Sequence, residues 1–170
     1  MTIPVSSGHL QHPRSEVSPS LRPGSPEGNG TDTRRLRGLK ILLVDDDAGL
    51  REAVAALLTG TGAVVRSAGS AKEALATLTE FAPDILLSDI AMPGEDGYSL
   101  IRRVRALGAE QGGNVPAIAL TALAGEDDRQ RVMAAGFQGY LSKPVDLDHL
   151  AETLIGQAPK TTEPVAPPGR

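Results

Sequence analysis

The chain has no cysteine among its 170 residues. That excludes a disulfide framework, thiol catalysis and thiolate metal sites, and it fits a reducing cytoplasm. Aromatic residues amount to only 2%, so a core must be assembled from Leu, Val, Ile and Ala. A domain of about 120 residues can still bury most of its apolar surface that way. Long apolar runs are missing too. Runs such as 39–44 and 117–120 fall far short of a bilayer-spanning helix. The N-terminus has no continuous apolar stretch behind a basic start, as a secretory signal would. Nor is there a basic surplus. The net charge is −4, and residues 38–157 carry 10 Lys and Arg against 17 Asp and Glu. That balance offers no basic footprint for nucleic acid, and a membrane is no better a partner.

Both ends are rich in proline. Pro4, Pro13, Pro19, Pro23 and Pro26 punctuate residues 1–37 among many Gly, Ser and Thr. With no apolar periodicity to repay the entropy of ordering, that stretch is expected to be disordered. The cluster Arg34, Arg35 and Arg37 belongs to this linker. Residues 158–170, with Pro159, Pro164, Pro167 and Pro168, form a second expected tail.

The span between, 38–157, alternates strand and helix signals five times. Residues 40–44 are apolar without a break from Ile41 on, as in a parallel strand covered on both faces. Residues 48–59 follow with Leu50, Val54, Leu57 and Leu58 on one helical stripe. A short strand is expected at 63–67. Ser70 then caps a helix with Glu73 three residues on, a capping-box spacing. Its apolar face is Ala71, Ala74, Leu75 and Leu78. Strand 85–88 precedes the clearest amphipathic helix, 98–108, with Leu100, Ile101, Val104 and Leu107 inward and Arg102, Arg103 and Arg105 outward. Strand 115–120, helix 127–135 ending at Gly136, strand 139–141 and helix 146–155 complete the set. Such alternation predicts an α/β fold, a parallel sheet with right-handed crossovers and helices on both faces.

In an open parallel sheet, ligands bind beyond the carboxyl ends of the strands. The first strand ends in Asp45-Asp46-Asp47, the third in Ser88-Asp89, the fourth in Thr121-Ala122 and the fifth in Ser142-Lys143-Pro144. Acids, a hydroxyl and an amine are thus expected along one rim. Crowded carboxylates repel unless a cation relieves them, and Mg²⁺ is the hard divalent ion such oxygens suit. A central carboxylate beside a cation and Lys143 can act as a nucleophile toward phosphorus. Phosphoryl transfer needs mainly positioning and charge stabilisation.

The segments Ile41-Leu42-Leu43-Val44-Asp45-Asp46-Asp47, Leu86-Leu87-Ser88-Asp89-Ile90-Ala91-Met92-Pro93-Gly94-Glu95-Asp96-Gly97, Ala119-Leu120-Thr121-Ala122 and Leu141-Ser142-Lys143-Pro144 together resemble the receiver-domain signature of two-component response regulators, over about 39–157. The resemblance implies a flavodoxin-like sheet of five strands in the order 2-1-3-4-5. It implies phosphorelay signalling in a bacterial cytoplasm, with a histidine kinase or a histidine phosphotransfer protein as phosphoryl donor. Residue by residue, it makes Asp89 the phosphoacceptor. Asp46 becomes the chief metal-binding acid, with Asp45 assisting and the Ala91 main-chain carbonyl completing the Mg²⁺ ligands. Thr121 is then the hydroxyl that closes on the phosphoryl group, Lys143 the paired cation, Tyr140 the aromatic switch and Pro144 a cis-proline. Asp47 is expected only to start the following helix, where a carboxylate complements the dipole. Ala91 and Leu123 occupy positions that tune self-dephosphorylation in the family. Both are apolar, which predicts a slow to moderate acyl-phosphate lifetime.

With about a dozen residues after the last helix, the chain resembles a stand-alone receiver, monomeric or dimerising on phosphorylation, that acts on a downstream protein. The style of Asp96-Gly97-Tyr98 and of 117–121 is also similar to receivers of hybrid histidine kinases. His9, His12 and His149 lack the context of a phosphodonor. Two alternatives remain open. A haloacid-dehalogenase-like phosphatase would use Asp45-x-Asp47, although Gly49 replaces its usual Thr or Val and no capping insert is present. An interaction module that takes no phosphate is the other.

Overall fold

The computed structural model describes residues 32–122 and 125–160. The expectations for 1–31, 161–170 and Leu123, with His9 and His12, lie outside the described residues. Strands and helices alternate: β1 (Lys40–Val44), α1 (Ala48–Gly60), β2 (Val64–Ala68), α2 (Ala71–Phe81), β3 (Ile85–Asp89), α3 (Gly97–Arg105), β4 (Ala117–Thr121), α4 (Glu126–Ala135), β5 (Gly139–Ser142) and α5 (Leu147–Gln157). The five strands run parallel in the order β2-β1-β3-β4-β5, the expected flavodoxin-like sheet.

Side-chain alternation divides the interior into two cores. Ile41, Leu43, Ile85, Leu87, Ile118 and Leu120 face α1 and α5, where Val54, Leu58, Leu150 and Leu154 meet them. Leu42, Val44, Leu86, Ala117 and Ala119 face α2–α4, where Leu78, Leu100, Ile101, Val104 and Val132 close over them. The three central strands are buried on both faces, which is why they read as unbroken apolar runs. Helix starts follow local chemistry. Asp47, Asp96 and Asp146 each accept an N–H of their helix's first turn. Ser70 accepts from Glu73 N–H, and the Glu73 carboxylate accepts from Gly69 N–H at 2.8 Å, so the expected capping box reaches one residue further back than usual.

Element ends shift by up to three residues, as where α3 stops at Arg105 instead of 108 and β4 begins at Ala117 instead of 115, and four further details differ from the sequence expectations. The edge strand β2 lies one residue later than 63–67, because a strand exposed along one side carries no continuous apolar run to fix its limits. Leu57 is 44% exposed: the buried stripe of α1 centres on Val54 and Leu58, about 80° around the helix from Leu57 at about 100° per residue. Arg105 does not point outward. It flanks the inner face of α3, lays its stem over Gly136 and turns its head onto main-chain oxygens. Finally, the folded unit begins before residue 38. Thr33–Leu36 forms a 3₁₀ turn capped by Asp32, and Leu36 is fully buried in the α1–α5 core.

Candidate functional site

The candidate acids, Thr121 and Lys143 sit at the carboxyl rim, and the register explains why. β1 and β3 pair through Val44 and Ser88, so Asp45 and Asp89 leave adjacent strands side by side. β3 pairs with β4 through Asp89 and Leu120, and Thr121 pairs with Ser142 on β5. Lys143 N–H continues that ladder to the Thr121 carbonyl at 2.8 Å, which places the lysine stem across the rim. The Lys143–Pro144 peptide is cis. Asp45, Asp89 and Thr121 are buried and Asp46 is exposed.

The Lys143 ammonium lies 2.9 Å from Asp45 Oδ2 and 3.3 Å from Asp89 Oδ1. Asp45 Oδ1 accepts from Asp47 N–H at 2.9 Å, and Asp89 Oδ1 accepts from Ala91 N–H at 3.2 Å. Asp46 makes no hydrogen bond or ion pair among the described residues. Burial pushes the Asp89 carboxyl above its ordinary range against the pull of Lys143, and the Asp45 charge pushes it further. Burial pulls the Lys143 ammonium down, but the hydrogen bond it donates to Asp45 and the two carboxylate charges outweigh it and hold it above its usual value. One lysine thus answers two of three acids.

Oxygen atoms of Asp45, Asp46 and Asp89 fall within 4.8 Å of one another. This donor set is all carboxylate, under-neutralised and open on the Asp46 side, which fits a hard divalent cation that retains waters. Asp47 lends the site only its N–H, to Asp45 Oδ1, while its own carboxylate caps α1. Tyr140 is half-buried against the α2–α4 core. His149 is exposed on the first turn of α5.

Two contributors escape sequence reasoning. Gly97 opens α3 directly beneath the acceptor: a Cβ there would lie 2.3 Å from the Asp89 carbonyl oxygen and 2.8 Å from Ile90 Cα. Only glycine lets the helix approach so closely. The Asp96-Gly97 pair was visible, but its contact with Asp89 was not. The second is Arg51, whose Nη1 donates to the Asp45 carbonyl; nothing in its spacing marks it out.

Comparison with known proteins fits this geometry. The family model described as a response regulator receiver domain matches residues 41–155. The chain belongs to the response-regulator receiver family. This receiver is 50% identical over 111 residues to an uncharacterized 14.6 kDa protein of Leptolyngbya boryana, covering 65% of this chain and 83% of that one. It is 40% identical over 116 residues to the sensor histidine kinase RcsC of Salmonella typhi, covering 68% of this chain but only 12% of the kinase. Among solved structures, it is similar to the Vibrio cholerae chemotaxis protein CheY4, at 32% identity and TM-score 0.64, over 69% of this chain and 96% of that one. The receiver domain of the sensor kinase PA1611 of Pseudomonas aeruginosa, described with a magnesium ion coordinated in its active-site cleft, matches at 35% identity and TM-score 0.62, over 70% and 98%. Membership in the receiver family sets aside the phosphatase alternative. No described helix is long and apolar enough to cross a membrane.

Proposed function

We propose that this receiver accepts a phosphoryl group on Asp89 from a histidine kinase or a histidine phosphotransfer protein, with Mg²⁺ held by Asp46, Asp45, Asp89 and the Ala91 carbonyl. The observation that carries the reading is a buried, destabilised carboxylate that shares one lysine with a second acid while a third acid stands uncompensated. The magnesium described for the PA1611 receiver supports the same cation here. When bound, Mg²⁺ supplies the positive charge that crowded carboxylates and phosphoryl oxygens require.

Ala91 N–H and Lys143 both engage Asp89 Oδ1, which leaves Oδ2 as the attacking atom. Oδ2 forms the new bond to phosphorus as the P–N bond of the donor phosphohistidine breaks, its electron pair returning to the imidazole nitrogen. Lys143 then pairs with a phosphoryl oxygen, and the Thr121 hydroxyl donates to another. Drawing Thr121 inward vacates space that Tyr140 takes up. The surface of α4, β5 and α5 changes shape, and with it the affinity for a downstream protein.

Intact-mass measurement after incubation with acetyl phosphate and Mg²⁺ tests the acceptor. The wild type is expected to gain the mass of one phosphoryl group, and Asp89→Asn or a chelated sample none. Covalent phosphate persisting in Asp89→Asn but lost in Asp45→Asn would overturn the assignment. No gain in any sample would favour a module that takes no phosphate.

A further inference from the structure

Where β1 ends, the main chain loses its ladder partners just before the acids it must aim. Asp45 N–H still donates to the Ala68 carbonyl on β2. The Asp45 carbonyl has no such continuation, because β2 stops at Ala68. Gly69 N–H turns instead to the Glu73 carboxylate, and Ser70 begins α2. A side chain takes the vacant place: Arg51, on the first turn of α1, donates from Nη1 to the Asp45 carbonyl at 2.5 Å. The guanidinium lies against Gly69, where a Cβ would sit 3.3 Å from Nη1 and 3.7 Å from Cζ. Arg51 therefore joins the β1–α1 and β2–α2 loops over the peptide that links Asp45 to Asp46.

That peptide matters because of how the two acids are held. The Asp45 carboxylate is fixed directly by Asp47 N–H and Lys143. The Asp46 carboxylate is bonded to nothing among the described residues, so only its backbone constrains the positions it can reach. We propose that Arg51 is a positioning residue for the cation site: its bond to the Asp45 carbonyl orients the 45–46 peptide and thereby presents the Asp46 carboxylate to Mg²⁺. This rests on the cation reading above. Partners one shell away from a metal's ligands typically alter affinity 10–100-fold when removed.

The sign of the effect separates positioning from simple charge. Arg51 is a cation beside a cation site, so through-space electrostatics alone would make its removal tighten Mg²⁺ binding. Loss of positioning weakens it. Mg²⁺ titration of the unphosphorylated full chain, followed by calorimetry or by thermal shift, reads this without phosphotransfer. Arg51→Met is expected to weaken Mg²⁺ binding about 10-fold, with the metal-free melting temperature nearly unchanged. Arg51→Lys, whose ammonium can reach the same carbonyl, is expected to recover part of that loss, and it alone carries the test should Arg51→Met not fold. Unchanged or tighter binding in the variants, beside Asp46→Asn that binds poorly, overturns the positioning role. A wild type that binds no Mg²⁺, or Asp46→Asn that binds like the wild type, removes the cation reading itself and the inference with it.

Discussion

At the carboxyl rim of the sheet, Lys143 faces two buried carboxylates, and a third has no partner among the described residues. At the amino rim, Arg105 faces no carboxylate among the described residues, yet donates five hydrogen bonds: two to the Gly136 carbonyl, one each to those of Gly113 and Val115, and one to Gln138 Oε1. Gln138 Oε1 also accepts from Ala117 N–H at 2.7 Å. Both rims contain a long cationic side chain crossing between loops. One is short of positive charge and open; the other is satisfied by neutral oxygens and closed. The difference shows how the chain separates tasks. Stability is gathered where the loops before β4 and β5 need fastening, and electrostatic strain is kept where a cation and a phosphoryl group would relieve it.

The largest effect is expected from breaking the closed rim. Arg105→Ala strips the bonds from three main-chain carbonyls at once. Hydrogen bonds to charged groups contribute about 1.5–3 kcal/mol each when buried, and part of this site is wet, so the loss should be on the order of 3 kcal/mol. Burial draws the guanidinium below its usual value, but it stays charged at neutral pH. Urea unfolding checks the figure. A change under about 0.5 kcal/mol, the scale of an ordinary surface substitution, would mean that the clamp is decorative.

Relieving the open rim should act in the opposite direction and more weakly. Asp89→Asn removes a buried charge that the fold disfavours, so the metal-free protein should gain on the order of 1 kcal/mol. The folded chain holds the Asp89 proton more tightly than the unfolded chain, whose value lies near 3.8. The wild type's contribution from this group is thus fully present below that value and lost as pH rises toward the folded one. The advantage of Asp89→Asn should grow as pH rises above about 4. Mg²⁺ should reverse the order: at ten times its dissociation constant it stabilises the wild type by about 1.4 kcal/mol and the variant by much less. Equal curves across pH would break the contrast between the rims.

The two rims were not equally legible in the sequence. The carboxyl rim was, because strands buried on both faces appear as apolar runs, and the polar residues that end them are then fixed in space by topology alone. Asp45, Asp89, Thr121 and Lys143 needed only that. The amino rim was not. Arg105 looked like one of three outward arginines on α3, since helical phase separates inside from outside but says little of a position on the border, where a long stem can turn either way. Arg51 and Gly97 were missed for a related reason. Each matters through one approach to the main chain beside an acid, and no periodicity encodes that. Leu36 was lost among Arg34, Arg35 and Arg37, a single apolar residue in a basic stretch.

The smallest expected effect is the most discriminating. The strands that separate the rims are about five residues long, roughly 16 Å at 3.3 Å per residue, and substitutions that far apart with no shared partner normally add within about 0.5 kcal/mol. A double-mutant cycle of Arg105→Ala and Asp89→Asn should therefore show coupling below that limit in metal-free protein. The test is sharp because one route between the rims exists. Gly136, which accepts from Arg105, is the left-handed residue that ends α4, and α4 starts four residues beyond Ala122, which follows Thr121. Val132 is the one buried residue among the ten of α4, so little else holds that helix down. If the coupling exceeds 1 kcal/mol, Arg105 is fastening the far end of a helix that answers to the acceptor, and the closed rim belongs to the switch as well as to the scaffold.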